Sequence, residues 1–276
     1  MTLKWIFLSR GVNLLRVVNS MGRQSRLRRL REKKKAAATE VEKVRAKSKQ
    51  RRGLNNRNKP YLNPTSWTGK MKGVPCFILG NGPSINSISD MSLLDNYFTI
   101  GINRIFYKYD PTILIWQDLA LWSQEKTKVM ETKSIKYCRV GAAAGIKGGF
   151  YGFKLNGREP KITNDINTLY GRGSSGSITY QFAYVLGCDP IILVGMDCQN
   201  EGKLTDFYGN NPMHRRHTLP ACEKGLKFIK DNHKDRNIIN CSKNKVFSSQ
   251  MTIEEVIATL GEKKYNREEL QKILLS

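Results

Sequence analysis

Short apolar runs recur along the chain between residues 74 and 247, each bounded by polar or glycine-rich segments. The runs VPCFIL (74–79), YFTIGI (97–102), TILIW (112–116), IKYCRV (135–140), PIILV (190–194) and NIIN (237–240) predict strands. Runs that are continuous rather than alternating suit strands covered on both faces, as in a parallel sheet between helices. Residues 175–186 predict a helix, with Ile178, Phe182, Val185 and Leu186 on one face, and residues 219–232 predict another. Two C-terminal helices carry capping-box spacing, Thr252 to Glu255 and Asn266 to Glu269. Residues 141–167 are glycine-rich and read as irregular, and there is no internal repeat. The fold class expected is α/β: a mainly parallel sheet flanked by helices.

Charge then divides the chain in two. Lys and Arg number 47 against 23 acids in 276 residues, and residues 1–60 hold 19 of those cations with 3 acids, a net of +16. The expected organisation is a basic N-terminal arm over 1–60 and one globular domain over 61–276. Residues 23–52 lack Gly and Pro and favour helix, but too few are apolar to bury a face, so the arm is expected to be helical when bound or disordered. Such charge suits the phosphates of nucleic acid, an anionic membrane surface, or solubility alone. No apolar run reaches the roughly 18 residues that span a bilayer. Residues 1–19 lack the long apolar core and cleavage site of a secretory signal. Six dispersed cysteines without a C-x-x-C pair read as reduced, buried thiols of a cytoplasmic protein.

In open α/β sheets ligands sit beyond the carboxyl ends of the strands. The first strand runs into Gly80-Asn81-Gly82-Pro83-Ser84, where glycines let backbone approach a phosphate or ribose, or simply turn the chain into a helix. A dinucleotide fingerprint fails here: the third glycine is missing, and the second strand ends in Asn103 instead of an acid. Asp118, after the third strand, meets substrate or caps the next helix. Ser174, Ser175 and Gly176 open a helix, as an anion site or as an ordinary N-cap. Asp197 ends a later strand at the same sheet edge. Beyond it lie Tyr208, then His214 and His217 with two arginines between them, a pair suited to general acid–base work. His233 reads as an exposed helix end.

The order FILGNGPS (77–84), GIN (101–103), GRGSSGSITYQFAYVLG (171–187), IILVGMD (191–197) and the later histidines resembles the family 42 sialyltransferases. It is similar also to the related domain of unknown function 115, called MptE-like. The resemblance covers about residues 74–247 and none of the arm. It implies a single Rossmann-like, mainly parallel sheet flanked by helices, with a nucleotide-sugar donor bound across the first turn and the SSG helix. Gly80, Asn81, Gly82, Ser84 and Asn103 would then serve the nucleotide or its phosphate, and Ser174, Ser175 and Gly176 the sugar or phosphate end, with Asp118 and Asp197 in the same site. It further implies Tyr208 on the leaving phosphate and His214 or His217 as the base.

The expected activity is therefore glycosyl transfer from a nucleotide sugar to a hydroxyl. Histidine supplies a base near neutral pKa, and amides, hydroxyls and Arg can stabilise the departing phosphate. With no D-x-D signature, no metal is expected, although Mg²⁺ stays possible through the MptE-like relatives. The arm suggests a polyanionic acceptor, such as a hydroxylated base in DNA for a phage-type modifying enzyme working in the host cytoplasm. The alternatives are a cell-surface polysaccharide transferase resting on anionic lipid, an MptE-like pyrophosphokinase, or a non-enzymatic nucleic-acid-binding protein.

Overall fold

Nine strands form among the described residues: β1 (Tyr61–Leu62), β2 (Cys76–Leu79), β3 (Phe98–Ile102), β4 (Ile113–Trp116), β5 (Ile135–Arg139), β6 (Phe150–Asn156), β7 (Thr168–Tyr170), β8 (Ile191–Val194) and β9 (Ile238–Cys241). Five helices accompany them: α1 (Leu119–Glu131), α2 (Ser175–Leu186), α3 (Thr218–Asn232), α4 (Ile253–Leu260) and α5 (Arg267–Leu275). This computed structural model describes residues 61–143, 145–146, 148–171, 174–211, 218–261 and 265–276. The basic arm and the stretch 212–217, with both candidate histidines, lie outside the described residues.

The strands make one sheet in the order β1-β6-β5-β4-β3-β2-β8-β9, with β7 on β6, and every pairing is parallel. From β2 the chain first builds outward through β3 to β6. It then crosses over to add β8 and β9 on the other side of β2. The topological switch point, where such sheets bind ligands, is thus the carboxyl end of β2 beside β8.

Period-two geometry explains the continuous apolar runs. In β2, Cys76 and Ile78 enter one layer with α2, α3 and α5, while Phe77 and Leu79 enter the other with α1 and α4. The first layer packs Ile178, Phe182, Leu226 and Leu270; the second packs Leu121, Trp122, Ile253 and Val256. Both sheet faces are covered, so no strand needs a polar face.

Three expectations need correction. The stretch 141–167 is not wholly irregular: it contains β6, and neither β1 nor β7 was expected. In β6, Gly152 masks the strand pattern because Tyr61 of β1 lies against it; a Cβ there would sit 2.9 Å from the Tyr61 Cβ. Asn266 does cap its helix, but its side chain accepts from the Glu268 amide instead of forming the expected box with Glu269. Thr252 and Glu255 do form a capping box.

The third correction is His233, which is 2% exposed. The last turn of α3 folds it edge-on against the rings of Tyr180 and Tyr184, at centroid distances of 5.1 and 4.4 Å. Among the described residues neither ring nitrogen has a hydrogen-bond partner. Burial depresses its pKa, opposed by Asp235 and aided by Arg236. The unfolded chain therefore takes up a proton that the folded chain resists. This contribution to stability is complete above the ordinary histidine pKa of about 6.5 and is lost as pH falls below it. The drop in melting temperature between about pH 7.5 and 5.5 should accordingly be smaller in His233→Phe than in the parent protein, as read by scanning calorimetry.

Candidate functional site

Four parallel strands end at one edge, and a cavity of about 490 Å³ opens there, large enough for a small-molecule ligand. The turn after β2, the residues past β3, β4 and β8, and the first turns of α2 and α3 line it.

Its base is a pair of turns pressed flush together. The Gly80 amide donates to Val194 O (2.7 Å) and the Gly82 amide to Gly195 O (2.8 Å). A side chain on Gly80 would run into the Gly195 carbonyl, and one on Gly82 into the Asp197 carboxylate. These glycines are thus required first by protein–protein contact, whatever backbone they also show to a ligand.

Asp197, 4% exposed, fastens the pair. Its Oδ1 accepts from Ser84 Oγ (2.6 Å) and from the Lys243 amide (3.1 Å), and its Oδ2 accepts from the Ser84 amide (2.8 Å). Ser84 is turned toward this carboxylate and does not line the cavity. Asn81 makes a second tie: its Nδ2 donates to Ile102 O (2.7 Å) and its Oδ1 accepts from the Arg104 amide (3.1 Å). Two residues expected to hold ligand, Asn81 and Asp197, therefore line the cavity while using their polar atoms on the scaffold.

Other expected residues face the cavity more freely. Asn103 has φ 50, a left-handed conformation rare outside glycine, and its buried Oδ1 has no hydrogen-bond partner among the described residues. Asp118 occupies the residue ahead of α1 yet makes no side-chain cap bond. Instead its carboxyl lines the cavity, with a pKa raised by burial and opposed by Arg139. Ser174 caps α2, accepting from the Ser177 amide (3.3 Å). Ser175 Oγ accepts from Gln117 Nε2 (2.8 Å), which leaves its O–H to donate into the cavity. Gly176 leaves room for Met196, whose Cε would lie 2.7 Å from an added Cβ.

Gln117 is a residue that the strand pattern did not single out. It is 6% exposed, and its backbone carbonyl accepts from Arg139 Nε (2.6 Å), so β5 fixes the main chain from which its side chain reaches Ser175. Cys198 and Cys222 also line the cavity unforeseen. Tyr208 stands behind the wall. Its hydroxyl accepts from Asn211 Nδ2 (2.9 Å), the Arg104 guanidinium lies 5.6 Å from its ring centroid, and burial pushes its pKa up. That loop is held against the β2 turn by the Phe207 amide on Asn81 O (2.9 Å). Thr218, next in the chain to His217, lines the cavity. Among the described residues, no cluster of three His, Cys, Asp or Glu side chains could hold a metal ion.

Taken together, the walls offer backbone amides, the hydroxyls of Ser174, Ser175, Thr205 and Thr218, several amide side chains, carboxyls and a helix N-terminus. They can hold an anion at the start of α2 and hydroxyl groups near Asp118 and Asn103. If Asp197 is the fastening, Asp197→Ala strands three donors, the two on Ser84 buried and the Lys243 amide partly so. Its unfolding free energy should fall by roughly 2–4 kcal/mol in urea denaturation. Gly82→Val should likewise lower stability, and a variant as stable as the parent would contradict this assignment.

No protein-family model and no curated protein matches the chain. Among solved structures it is similar to the sialyltransferase CstII from Campylobacter jejuni in complex with a substrate analogue, cytidine-5'-monophosphate. That alignment has 15% identity and a TM-score of 0.38 over 63% of this chain and 82% of that one. The same enzyme in complex with CMP-3FNeuAc aligns at 13% identity and a TM-score of 0.35, over 60% and 80% of the two chains.

Proposed function

We propose that the chain is a glycosyltransferase that takes a sugar from a nucleotide-sugar donor and passes it to a hydroxyl acceptor. The observation that carries this reading is the cavity at the switch point of the sheet, where bare backbone of the β2 turn and the hydroxyl-bearing start of α2 face one space. An anion at the α2 N-terminus meets the positive end of the helix dipole and the Ser175 hydroxyl. Donors already fixed in place stabilise charge as it develops on a leaving phosphate, and here Gln117 fixes Ser175. Asn103, whose Oδ1 has no partner among the described residues, and the Gly80–Gly82 backbone take the nucleotide. Asp118 takes hydroxyls of the sugar. Tyr208 supports the phosphate side from behind the wall.

In this reading His214 or His217, the residues leading into α3, deprotonates the acceptor hydroxyl as the sugar–phosphate bond breaks. The acceptor is a polyanion recruited by the +16 arm. A hydroxylated base in DNA is the leading candidate, and an envelope polysaccharide beside anionic lipid the other; the arm's affinity comes from phosphate neutralisation.

Calorimetric titration of the full chain with UDP-, GDP- and CMP-sugars tests the donor, and release of free nucleotide tests turnover. One of the three should bind, and Ser175→Ala should weaken it about tenfold, the worth of one good hydrogen bond. The His214→Ala/His217→Ala double variant should keep donor binding and lose roughly 10²–10⁴-fold in turnover. Absence of binding by all three donors, or full activity in the double variant, would contradict the reading.

A further inference from the structure

A second cavity, of about 260 Å³, opens at the other end of α2. That helix has 12 residues, so roughly 18 Å of helix, at about 1.5 Å per residue, separates this cavity from the Ser174 cap. Lys72 and Arg236 line it together with Thr68 and Asn164, and none of the described residues that line it is acidic.

A helix C-terminus ordinarily disfavours anions, because its last carbonyls are unfilled. Here they are filled. The amides of Gly69, Met71 and Gly73 donate to the carbonyls of Val185 (2.9 Å), Leu186 (2.8 Å) and Gly187 (3.0 Å). The chain at 69–73 is thereby laid across the helix end, so closely that a Cβ on Gly187 would lie 3.1 Å from the Lys72 Cα. The same contact brings Lys72 to the cavity as an exposed residue, with no ion-pair partner among the described residues.

Arg236 arrives from the segment between α3 and β9. Its guanidinium lies over the Tyr184 ring, 4.7 Å from the centroid. A planar guanidinium held on a ring keeps its in-plane N–H groups available to fork onto an oxyanion. Nη1 donates to the Asp235 carbonyl (3.3 Å) and to its Oδ2 (3.2 Å), an oxygen that also accepts from the Tyr184 hydroxyl (2.9 Å). Nε is buried and has no hydrogen-bond partner among the described residues. Behind Tyr184, the Tyr180 hydroxyl and both nitrogens of His233 share that lack. Buried polar groups are nearly always paired, and a guanidinium, which only donates, is satisfied only by an acceptor. Of these residues, Arg236 alone has such a donor and also lines the cavity.

We propose that this cavity is a second ligand site, in which Lys72 and Arg236 hold a phosphoryl group, either of a nucleic-acid backbone or of a free phosphate ester. The oxyanion supplies the acceptor that Arg236 lacks and the countercharge that Lys72 lacks. Thr68 and Asn164 add uncharged donors at its edge. The site is separate from the proposed donor cavity and does not depend on that reading.

Inorganic phosphate is the probe, titrated at constant ionic strength into the ¹⁵N-labelled full-length chain. The Nε–H resonance of Arg236, assigned by its loss in Arg236→Lys, reports on the unpaired donor. Should that variant fail to fold, through-bond correlation to the Arg236 backbone assigns the resonance in the parent protein. It should move saturably with phosphate, while that of Arg104, whose Nε already donates to Glu125 (3.0 Å), stays in place. Lys72→Gln, a change at an exposed side chain, should weaken phosphate about tenfold or more, the worth of a hydrogen bond to a charged group. A short DNA duplex forms the second arm. If it moves the same resonance and competes with phosphate, the ligand is a nucleic-acid backbone; if it leaves the phosphate shift intact, the ligand is a free ester. An Arg236 resonance that stays still while other arginines respond would overturn the proposal, as would equal phosphate affinity in Lys72→Gln.

Discussion

The sheet edge depends on one buried carboxylate. Asp197 accepts two hydrogen bonds from Ser84 and one from the Lys243 amide, and so joins three segments: the turn after β2, the turn after β8 and the chain beyond β9. A carboxylate removed from water is tolerated only when donors replace its hydration. Here the donors come from the turns that must be held together, so solvation of the charge and closure of the edge are one event. The glycines at 80 and 82 follow from it, because any side chain there would meet the Gly195 carbonyl or this carboxylate.

With the turns fixed, the cavity follows. Asn81 reaches sideways to the ends of β3, Gln117 reaches from β4 to Ser175, and Arg139 of β5 holds Gln117 in place. Each link ties one segment at the sheet edge to another, so donors facing the cavity are oriented before anything enters it. Such pre-arrangement separates a site that stabilises developing charge from a hollow that is merely polar.

The sequence made β2, β3, β4, β5 and β8 legible because both faces of a central parallel strand are apolar, and β9, at the sheet's edge, because its Ile238 and Ile239 pack into the two layers on either side. β1 and β6 were not, since their pairing rests on Tyr61 packing over Gly152, two positions far apart in the chain. The turns past β2 and β8 and the start of α2 could be recognised from glycine and hydroxyl content, and the topology brings them to one cavity. What each residue does there was less accessible. Ser84 and Asp197 have the look of ligand contacts, yet they bond to each other. Gln117 carries no sequence signal, because its importance lies in reaching Ser175, 58 positions away. His233 looked polar and exposed, and aromatic neighbours from α2 bury it.

The central claim is that the strand-end cavity is where a nucleotide sugar binds. Hydrogen–deuterium exchange on the full chain, with and without saturating UDP-, GDP- or CMP-sugar, tests it most directly, because the readout reports location as well as binding. The expected result is slowed exchange at the amides of 80–84, 103 and 174–177 with one of the donors, and little change at the opposite edge of the sheet. Protection confined to other segments, or no protection with any of the three, would contradict it.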